Sequence, residues 1–377
     1  MVRQAKHSLN WRDMFEATGL SRRNFLAGLA AAGTSASILE GRLFGQANSG
    51  KPRLINVHHH LTAPAYVKFL TENKVREFPN KSAAQGIEDM DKAGVSIALC
   101  STIGPGIWFG DLAATRRLAR EINDYAAKVV SDYPGRFGMF TMLALPDIDG
   151  SLKEIEYGMD TLKADGVYMY TNWGGKSLYG DKYLGDAALA PIYEELNRRK
   201  AVVYTHPKDA ACCEGVIPGV GSGTIEYPMD TTRTIVSLLY SGTAAKYPDV
   251  KFIFSHGGGA TAGLIGRIAG ASASYLQDGG TLRAGAPAPR TSPAMPKGAL
   301  YELQKFYYDT SSAVNPAGVG GLRKMVPLSH ILFGGDFPFV VTAEQVKLLN
   351  ECGVFNAKEI QAIYSENIGQ LLPKYRA

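Results

Sequence analysis

Cysteine is scarce in this sequence, with four residues in 377. None of the four stands in a CxxC or zinc-ribbon spacing, so we expect neither a cysteine zinc site nor a structural disulfide framework. The adjacent pair Cys212 and Cys213 is not expected to form a disulfide, because a bridge between neighbouring residues requires strained geometry.

A basic patch of the kind that binds nucleic acid is also lacking. The formal net charge is +5, but residues 1–47 contain six Lys or Arg against three Asp or Glu. The remaining residues carry 34 basic against 32 acidic side chains, a net charge of +2, without a basic run. This near balance argues against nucleic acid as the main partner.

A long apolar run is missing as well. An apolar stretch follows Arg22 and Arg23 and ends near residue 39. It is broken by glycines and is too short for a stable membrane span. Paired arginines before such a stretch resemble the twin-arginine export signal, with small residues that suit cleavage after Ala47. We therefore expect residues 1–47 to direct export to the periplasm and residues 48–377 to form the folded body. An amphipathic N-terminal helix is the alternative.

The body alternates short apolar runs with longer stretches of helical spacing. The runs predict strands at residues 54–57, 95–100, 137–143, 166–170, 201–205, 250–255, 306–309 and 331–333. Helices are predicted at residues 82–93, 112–133, 151–163, 189–199, 232–246, 260–274, 318–325, 342–352 and 357–371. This alternation predicts an α/β fold, a single (β/α)8 barrel of the TIM type. A doubly wound sheet would more often show a glycine-rich phosphate turn after its first strand, and none is present.

Residues 279–298 form the largest irregular segment, rich in Gly, Ala and Pro. The segment is too long for an ordinary connection between two elements of a barrel. It is either a flexible excursion or part of a lid or a subunit contact.

Side chains that bind metals stand at the predicted strand ends. The set comprises His58 and His60 on the first strand, His206 on the fifth, His256 on the sixth and Asp336 after the eighth. His59 faces away, because side chains alternate along a strand. The carboxyl ends of barrel strands face one mouth, so the set is expected to converge there. Imidazole nitrogens with one carboxylate suit Zn²⁺, with Mn²⁺ as the alternative.

Several longer stretches contain these residues. They are His58-His59-His60 with Pro64, Met90-Asp91-Lys92-Ala93-Gly94-Val95, His206-Pro207, Tyr227-Pro228 with Thr231-Thr232, His256-Gly257-Gly258-Gly259 and Phe333-Gly334-Gly335-Asp336-Phe337-Pro338. Together they resemble the amidohydrolase superfamily, in particular its aminocarboxymuconate-semialdehyde-decarboxylase-like branch, over about residues 52–372. Asn56 stands where that family commonly has Asp, at a position that is not a metal ligand in the family.

The resemblance implies a metal-dependent, non-oxidative decarboxylase of an aromatic hydroxybenzoate-like or unsaturated carboxylic acid. The resemblance also implies that the metal is held by His58, His60, His206 and Asp336. It further implies that the catalytic acid or base is His256 or Asp336. Two-metal members carry a carboxylated Lys at the end of strand four, where this chain has none, so one ion is expected.

Two other functions remain open. The same set of residues suits a hydrolase of a lactone, ester or amide that uses metal-bound hydroxide. A non-catalytic periplasmic binding protein on a barrel scaffold is the third possibility. The intact set of five metal-binding and acid–base residues argues against it.

Substrate contacts are expected from side chains that follow the strands. Trp108, Phe109, Tyr170, Asn172 and Trp173 can form an aromatic slot at the mouth, and Phe337 adjoins Asp336. Arg267 lies where the family places an arginine that binds the substrate carboxylate in a neighbouring subunit, which implies a homodimer. Ordinary loop packing and an exposed helix arginine are the alternatives. Asp309 is expected to support the site rather than to bind metal.

Overall fold

The computed structural model describes residues 53–75, 79–175, 180–213 and 215–376. The expected export signal at residues 1–47 lies outside these ranges and stays a prediction. Residues Pro52–Ala377 form one unit by their internal contacts. None of the helices within the described ranges is long and apolar enough to cross a membrane.

Parallel strands form a nearly closed barrel. In chain order the strands are β1 Ile55–His60, β2 Ile97–Ser101, β3 Phe137–Met142, β4 Gly166–Tyr170, β5 Asn172–Gly175, β6 Gly180–Tyr183, β7 Val202–His206, β8 Lys251–Phe254, β9 Tyr307–Asp309 and β10 Ile331–Leu332. The barrel order is β1-β2-β3-β4-β7-β8-β9-β10, and β5 pairs with β6 as a separate hairpin. The amide of Val57 donates to the carbonyl of Phe333 at 2.9 Å, which joins the last strand to the first. The predicted (β/α)8 barrel is confirmed.

Helices follow the barrel strands along the chain. The α-helices are Pro64–Glu72, Ala83–Ala93, Leu112–Asp132, Ile148–Glu156, Ala190–Arg199, Glu226–Tyr240, Thr243–Lys246, Ile265–Ala269, Ala299–Leu303, Gly318–Met325, Thr342–Glu351, Ala357–Gln361 and Asn367–Leu371. Local sequence explains their ends. Ser82 and Gln85 form a capping box at the start of Ala83–Ala93, and Gly94 ends that helix with a φ of 74°.

Aromatic rings fill the barrel below its mouth. Tyr204 on β7 is buried and stacks on Phe140 of β3, with ring centroids 5.2 Å apart. Its hydroxyl donates to Asp309 Oδ2 at 3.1 Å, and the same oxygen lies 2.9 Å from His58 Nδ1. The buried rings therefore form a closely packed floor beneath the polar residues at the mouth.

The structure shortens a predicted helix and adds detail to the predicted irregular segment. The helix expected at residues 260–274 is reduced to Ile265–Ala269 and a 3-10 turn, Ala271–Tyr275. Glycine explains the break, since Gly259 and Gly270 have φ values of 65° and 77°, outside the helical region. Within residues 279–298, Leu282 forms a bridge to Leu276 and Ser292 forms one to Met295. The described residues of this segment do not line the mouth cavity.

The expectation about the adjacent cysteines was wrong, because Cys212 and Cys213 form a disulfide. In the structure the pair lies in a turn after β7, where the amide of Cys213 donates to the carbonyl of Ala210 at 3.0 Å. The other two cysteines are free, and Cys100 is buried within β2.

Asn123 stabilises the end of β3 through its side-chain hydrogen bonds. This buried side chain donates to the carbonyl of Met142 at 3.0 Å and to Glu154 at 2.8 Å, and it accepts from the amide of Met142 at 2.7 Å. Substitution of Asn123 by Ala leaves buried groups at the end of β3 without partners. We expect the free energy of unfolding to fall by about 3 kcal/mol, measured by urea denaturation.

Asn350 offers a matched control, because it is exposed on the helix Thr342–Glu351. Its substitution by Ala is expected to change stability by less than about 0.5 kcal/mol. Equal urea midpoints for the two variants would show that the Asn123 hydrogen bonds do not stabilise the end of β3.

Candidate active site

Four side chains meet at the mouth of the barrel, as the strand pattern predicts. His58 and His60 end β1, His206 ends β7, and Asp336 follows β10. One ligand atom from each lies within 4.8 Å of the others, and all four residues are buried. His58 Nε2 lies 3.2 Å from His60 Nε2, and each of these nitrogens lies 3.2 Å from Asp336 Oδ1.

The cluster fits a divalent metal ion. Two imidazole nitrogens that face each other at 3.2 Å need a shared proton or a cation between them. A metal held at about 2.1 Å by each ligand keeps its ligand atoms roughly this far apart. Three nitrogens and one carboxylate oxygen also form a common donor set for such ions. Among the described residues, this is the only group of three or more His, Cys, Asp or Glu that meets the distance requirement.

Each histidine is oriented by a partner on its other ring nitrogen. Nδ1 of His58 lies 2.9 Å from Asp309 Oδ2, and Nδ1 of His60 lies 3.1 Å from Ser101 Oγ. Nδ1 of His206 lies 2.8 Å from the carbonyl of Pro207. These contacts direct the three Nε2 atoms towards one point, which is the usual arrangement around a metal. Asp309 therefore supports the cluster from outside, consistent with its expected role.

The electrostatics of the cluster favour bound positive charge. Burial alone would lower the pKa of His58, but the carboxylates of Asp309 and Asp336 outweigh it and raise the pKa to about 10. Burial and the neighbouring histidines, His60 first, lower the pKa of His206 well below its ordinary value. Burial opposes ionisation of Asp336, yet its histidine neighbours hold its pKa well below the usual range. A cation held by the cluster would take the place of the His58 proton.

His256 borders the cluster on the side that faces the mouth. Its Nε2 lies 3.4 Å from Asp336 Oδ2, and its ring centroid lies 5.0 Å from those of His58 and His206. Its φ is 54°, in the left-handed region, and the glycine run that follows continues there. A Cβ at Gly259 would lie 2.0 Å from the carbonyl of Pro228, so this turn requires glycine.

A cavity of about 770 Å³ opens above the cluster. It is large enough for a small aromatic acid. Its lining includes His206, His256, Asp336, Tyr227, Pro228, Gly221–Thr224, Ser312, Asn315, Phe339 and Val340. Phe339 meets the ring of His60 edge-on at 5.8 Å, and Tyr227 meets His206 edge-on at 6.3 Å.

The expected aromatic slot lies elsewhere. Trp108, Tyr170, Asn172 and Trp173 line a different cavity of about 40 Å³, which is too small for an aromatic acid. The hydroxyl of Tyr170 donates to the carbonyl of Ile103 at 2.6 Å. Nδ2 of Asn172 donates to Asp230 at 2.8 Å. The structure does not bring these four side chains to the cavity above the cluster.

Two further expected contacts also lie away from that cavity. Phe337 stacks on His59 with centroids 4.7 Å apart and is 8% exposed. His59 itself is buried on the side of β1 opposite to the cluster, as the strand phase predicts, next to Gly86. Arg267 is exposed on the short helix Ile265–Ala269. Sequence reasoning missed Phe339, although it lies three residues after Asp336, and it gave Tyr227 no role.

Comparisons with known proteins agree with this geometry. A protein-family model described as Amidohydrolase matches residues 55–374. Decarboxylase yanB of Aspergillus niger is 33% identical over 342 residues, which cover 85% of this chain and 88% of that protein. The 6-methylsalicylic acid decarboxylase of Penicillium expansum is 33% identical over 293 residues, 75% of this chain and 84% of that protein.

Solved structures share the fold. A 2,6-dihydroxybenzoate decarboxylase complexed with 2,6-dihydroxybenzoate has a TM-score of 0.73 at 18% identity and covers 86% of this chain and 100% of its own. A dihydroxybenzoic acid decarboxylase from Polaromonas sp. with bound manganese has a TM-score of 0.73 at 19% identity, covering 87% of this chain and 98% of its own.

Asp309 generates a prediction about metal affinity. Substitution by Asn keeps the size of the side chain but removes the charge that orients His58. We expect affinity for Zn²⁺ or Mn²⁺ to fall by about 10- to 100-fold, measured by calorimetric titration of metal-free protein.

The matched control is Asp165→Asn, a buried carboxylate that accepts from the amide of Met139 and pairs with Lys374. This variant is expected to bind metal as the unmodified protein does. Equal affinities for the two variants would show that Asp309 does not support the cluster.

Proposed function

The chain belongs to the amidohydrolase family, and from this premise we propose that it is a metal-dependent, non-oxidative decarboxylase of an aromatic, hydroxybenzoate-like acid. The observation that carries the proposal is the buried His58, His60, His206 and Asp336 cluster with His256 beside it, at the base of a cavity of about 770 Å³. Relatives that are 33% identical over most of their length are named decarboxylases, which supports carboxy-lyase chemistry. They favour it over lactone, ester or amide hydrolysis, which the same cluster could also serve.

His58, His60, His206 and Asp336 would hold one divalent ion. When bound, the ion would act as a Lewis acid towards the carboxylate of the substrate. The three Nδ1 partners, Asp309 among them, keep the imidazoles fixed so that the cluster does not reorganise during the reaction.

Carbon dioxide can leave after the ring carbon that carries the carboxylate has been protonated. Asp336 Oδ2 and His256 Nε2, 3.4 Å apart, are the groups that can hold and move this proton next to the cavity. The buried floor of aromatic rings excludes water from below, so the proton exchanges through the mouth. Phe339 and Tyr227 flank the space above the cluster and are suited to pack against a substrate ring.

We also propose the identity of the metal, the oligomeric state and the location of the protein. Zn²⁺ is the metal we propose, with Mn²⁺ as the alternative, because the donor set of three histidines and one carboxylate suits both. We also propose a homodimer in which Arg267 reaches the neighbouring subunit's site. Its exposed position leaves it available for such a contact. Export to the periplasm, directed by residues 1–47, completes the proposal.

The reaction can be tested with a panel of carboxylic acids. We expect carbon dioxide release from 2-hydroxybenzoate-type acids, 6-methylsalicylate included, at the same rate with and without oxygen. Asp336→Asn should abolish release, because this change removes both a metal ligand and a proton carrier. Cleavage of lactones or esters without carbon dioxide release from any acid would overturn the proposal.

Phe339 generates a prediction about substrate binding. Its substitution by Ala removes an aromatic wall from the cavity, so the KM for an aromatic acid should rise about tenfold, with metal content unchanged. KM is measured by steady-state kinetics, and metal content by elemental analysis.

Phe109 is the matched control, because it is exposed to a similar degree, 43% against 45%, and packs on Phe69 away from the cavity. Its substitution by Ala is expected to leave KM unchanged. The assignment of Phe339 to the substrate wall is wrong if both variants bind substrate alike.

A further inference from the structure

The connection between β7 and the helix Glu226–Tyr240 contains a feature that the proposed reaction does not use. It begins directly after the cluster residue His206 and contains the Cys212–Cys213 disulfide. Further along, Gly221, Ser222, Gly223 and Thr224 form part of the wall of the cavity above the cluster. The same connection therefore joins a predicted metal ligand, a pair of bridged cysteines and the cavity wall.

Apolar side chains are exposed in the stretch that leads from the bridged cysteines to the cavity-wall residues 221–224. Val216, Ile217 and Val220 are exposed, at 61%, 45% and 39% of their surface. A segment whose apolar side chains face solvent gains little from burial, so its order depends on backbone constraints. The disulfide is one such constraint, because it closes a small covalent ring within the connection.

The disulfide also contacts the helix that forms the other part of the wall. Arg233 Nη2 donates to Cys213 Sγ at 3.5 Å. Arg233 belongs to the helix Glu226–Tyr240, whose first turn carries Tyr227 and Pro228 into the cavity lining. Arg233 also lies 3.9 Å from Asp230, the buried carboxylate that holds Asn172 after β4. The bridged pair is thus connected through Arg233 to the helix whose first turn lines the cavity.

The cysteines of this chain differ in their access to solvent. Cys212 is exposed and Cys213 is partly exposed. Cys100 is buried, and burial raises the pKa of its thiol well above the usual value, which makes it unreactive. Cys352 is partly buried. Small thiols and disulfides can therefore reach the adjacent pair from solvent.

We propose that Cys212–Cys213 is a redox modification site that controls the order of the cavity wall at residues 221–224. In the oxidised form, the covalent ring and its contact with Arg233 hold the connection against the helix. In the reduced form the ring is open, the wall is less ordered, and substrate binding must supply the cost of ordering it. The four cluster residues lie outside the ring, so we expect the cluster to keep its ligands in both forms.

The chemistry is thiol–disulfide exchange with a small-molecule thiol. A thiolate of the small thiol attacks one cysteine sulfur, which breaks the bridge and leaves a mixed disulfide and one free protein thiol. A second small thiol releases the other cysteine as a thiol and leaves as a small-molecule disulfide. Two electrons pass from the small thiols to the protein, and a small-molecule disulfide reverses the reaction. An oxidising compartment therefore closes the ring, and a reducing one opens it.

The test compares the full chain before and after reduction by a phosphine, with thiol counting, limited proteolysis and kinetics. Alkylation under denaturing conditions should label two cysteines before reduction and all four after it. Reduction should increase the rate of proteolytic cleavage within residues 208–225 by about fivefold. This factor corresponds to the free energy of ordering about one residue of backbone. The KM for an aromatic acid should rise by a similar factor, with kcat and metal content unchanged.

Two variants make the test specific. Cys352→Ser should keep the full response to reduction, since this cysteine is not bridged. The double variant Cys212→Ser with Cys213→Ser should match the reduced protein under both conditions. Should the double variant fail to fold, the comparison of oxidised and reduced Cys352→Ser protein decides alone.

Four labelled cysteines in protein purified under oxidising conditions would overturn the proposal. So would reduction that leaves both the proteolysis of residues 208–225 and KM unchanged. Thiol counting and proteolysis need no substrate, so they decide this proposal even if the decarboxylase activity is not found.

Discussion

The structure depends on the meeting of three imidazole nitrogens and one carboxylate in a buried space. His58 Nε2, His60 Nε2 and Asp336 Oδ1 lie 3.2 Å from one another. Buried groups this close are costly unless a cation neutralises and binds them. The barrel supplies the geometry, because His58, His60 and His206 stand at the carboxyl ends of strands that face one mouth. The Nδ1 partners then fix the direction in which each ring offers its lone pair.

The backbone that leads to Asp336 lies very close to the side chains of Asp309 and Asn56. A Cβ at Gly334 would lie 2.8 Å from Asp309, and one at Gly335 would lie 2.7 Å from Asn56. Both positions follow β10 and lead to Asp336, whose φ of 66° turns its carboxylate into the cluster. Asn56 Oδ1 accepts from the amides of His58 and Gly335, each at 2.9 Å. This role needs only an acceptor oxygen, which explains why Asn can stand where the family commonly has Asp.

Much of this arrangement could be predicted from the sequence because strand periodicity is a strong constraint. It placed the barrel strands, assigned His58 and His60 to one face of β1 and directed His59 to the other. The same argument fails once a strand has ended. Beyond Asp336 the left-handed turn changes the direction of the chain, so Phe339 reaches the cavity and Phe337 packs behind the barrel wall. The bridge between Cys212 and Cys213 depends on a turn in a connection without periodicity, and no pattern in the sequence predicts it.

Stepwise return of metal to metal-free protein is the most direct measurement of the central claim. Carbon dioxide release from a 2-hydroxybenzoate-type acid is followed as Zn²⁺ or Mn²⁺ is added in known amounts per chain. The cluster predicts that release is absent without metal, rises in proportion to added ion and saturates at one ion per chain. Release that persists without metal, or that saturates only at two ions per chain, would contradict the account.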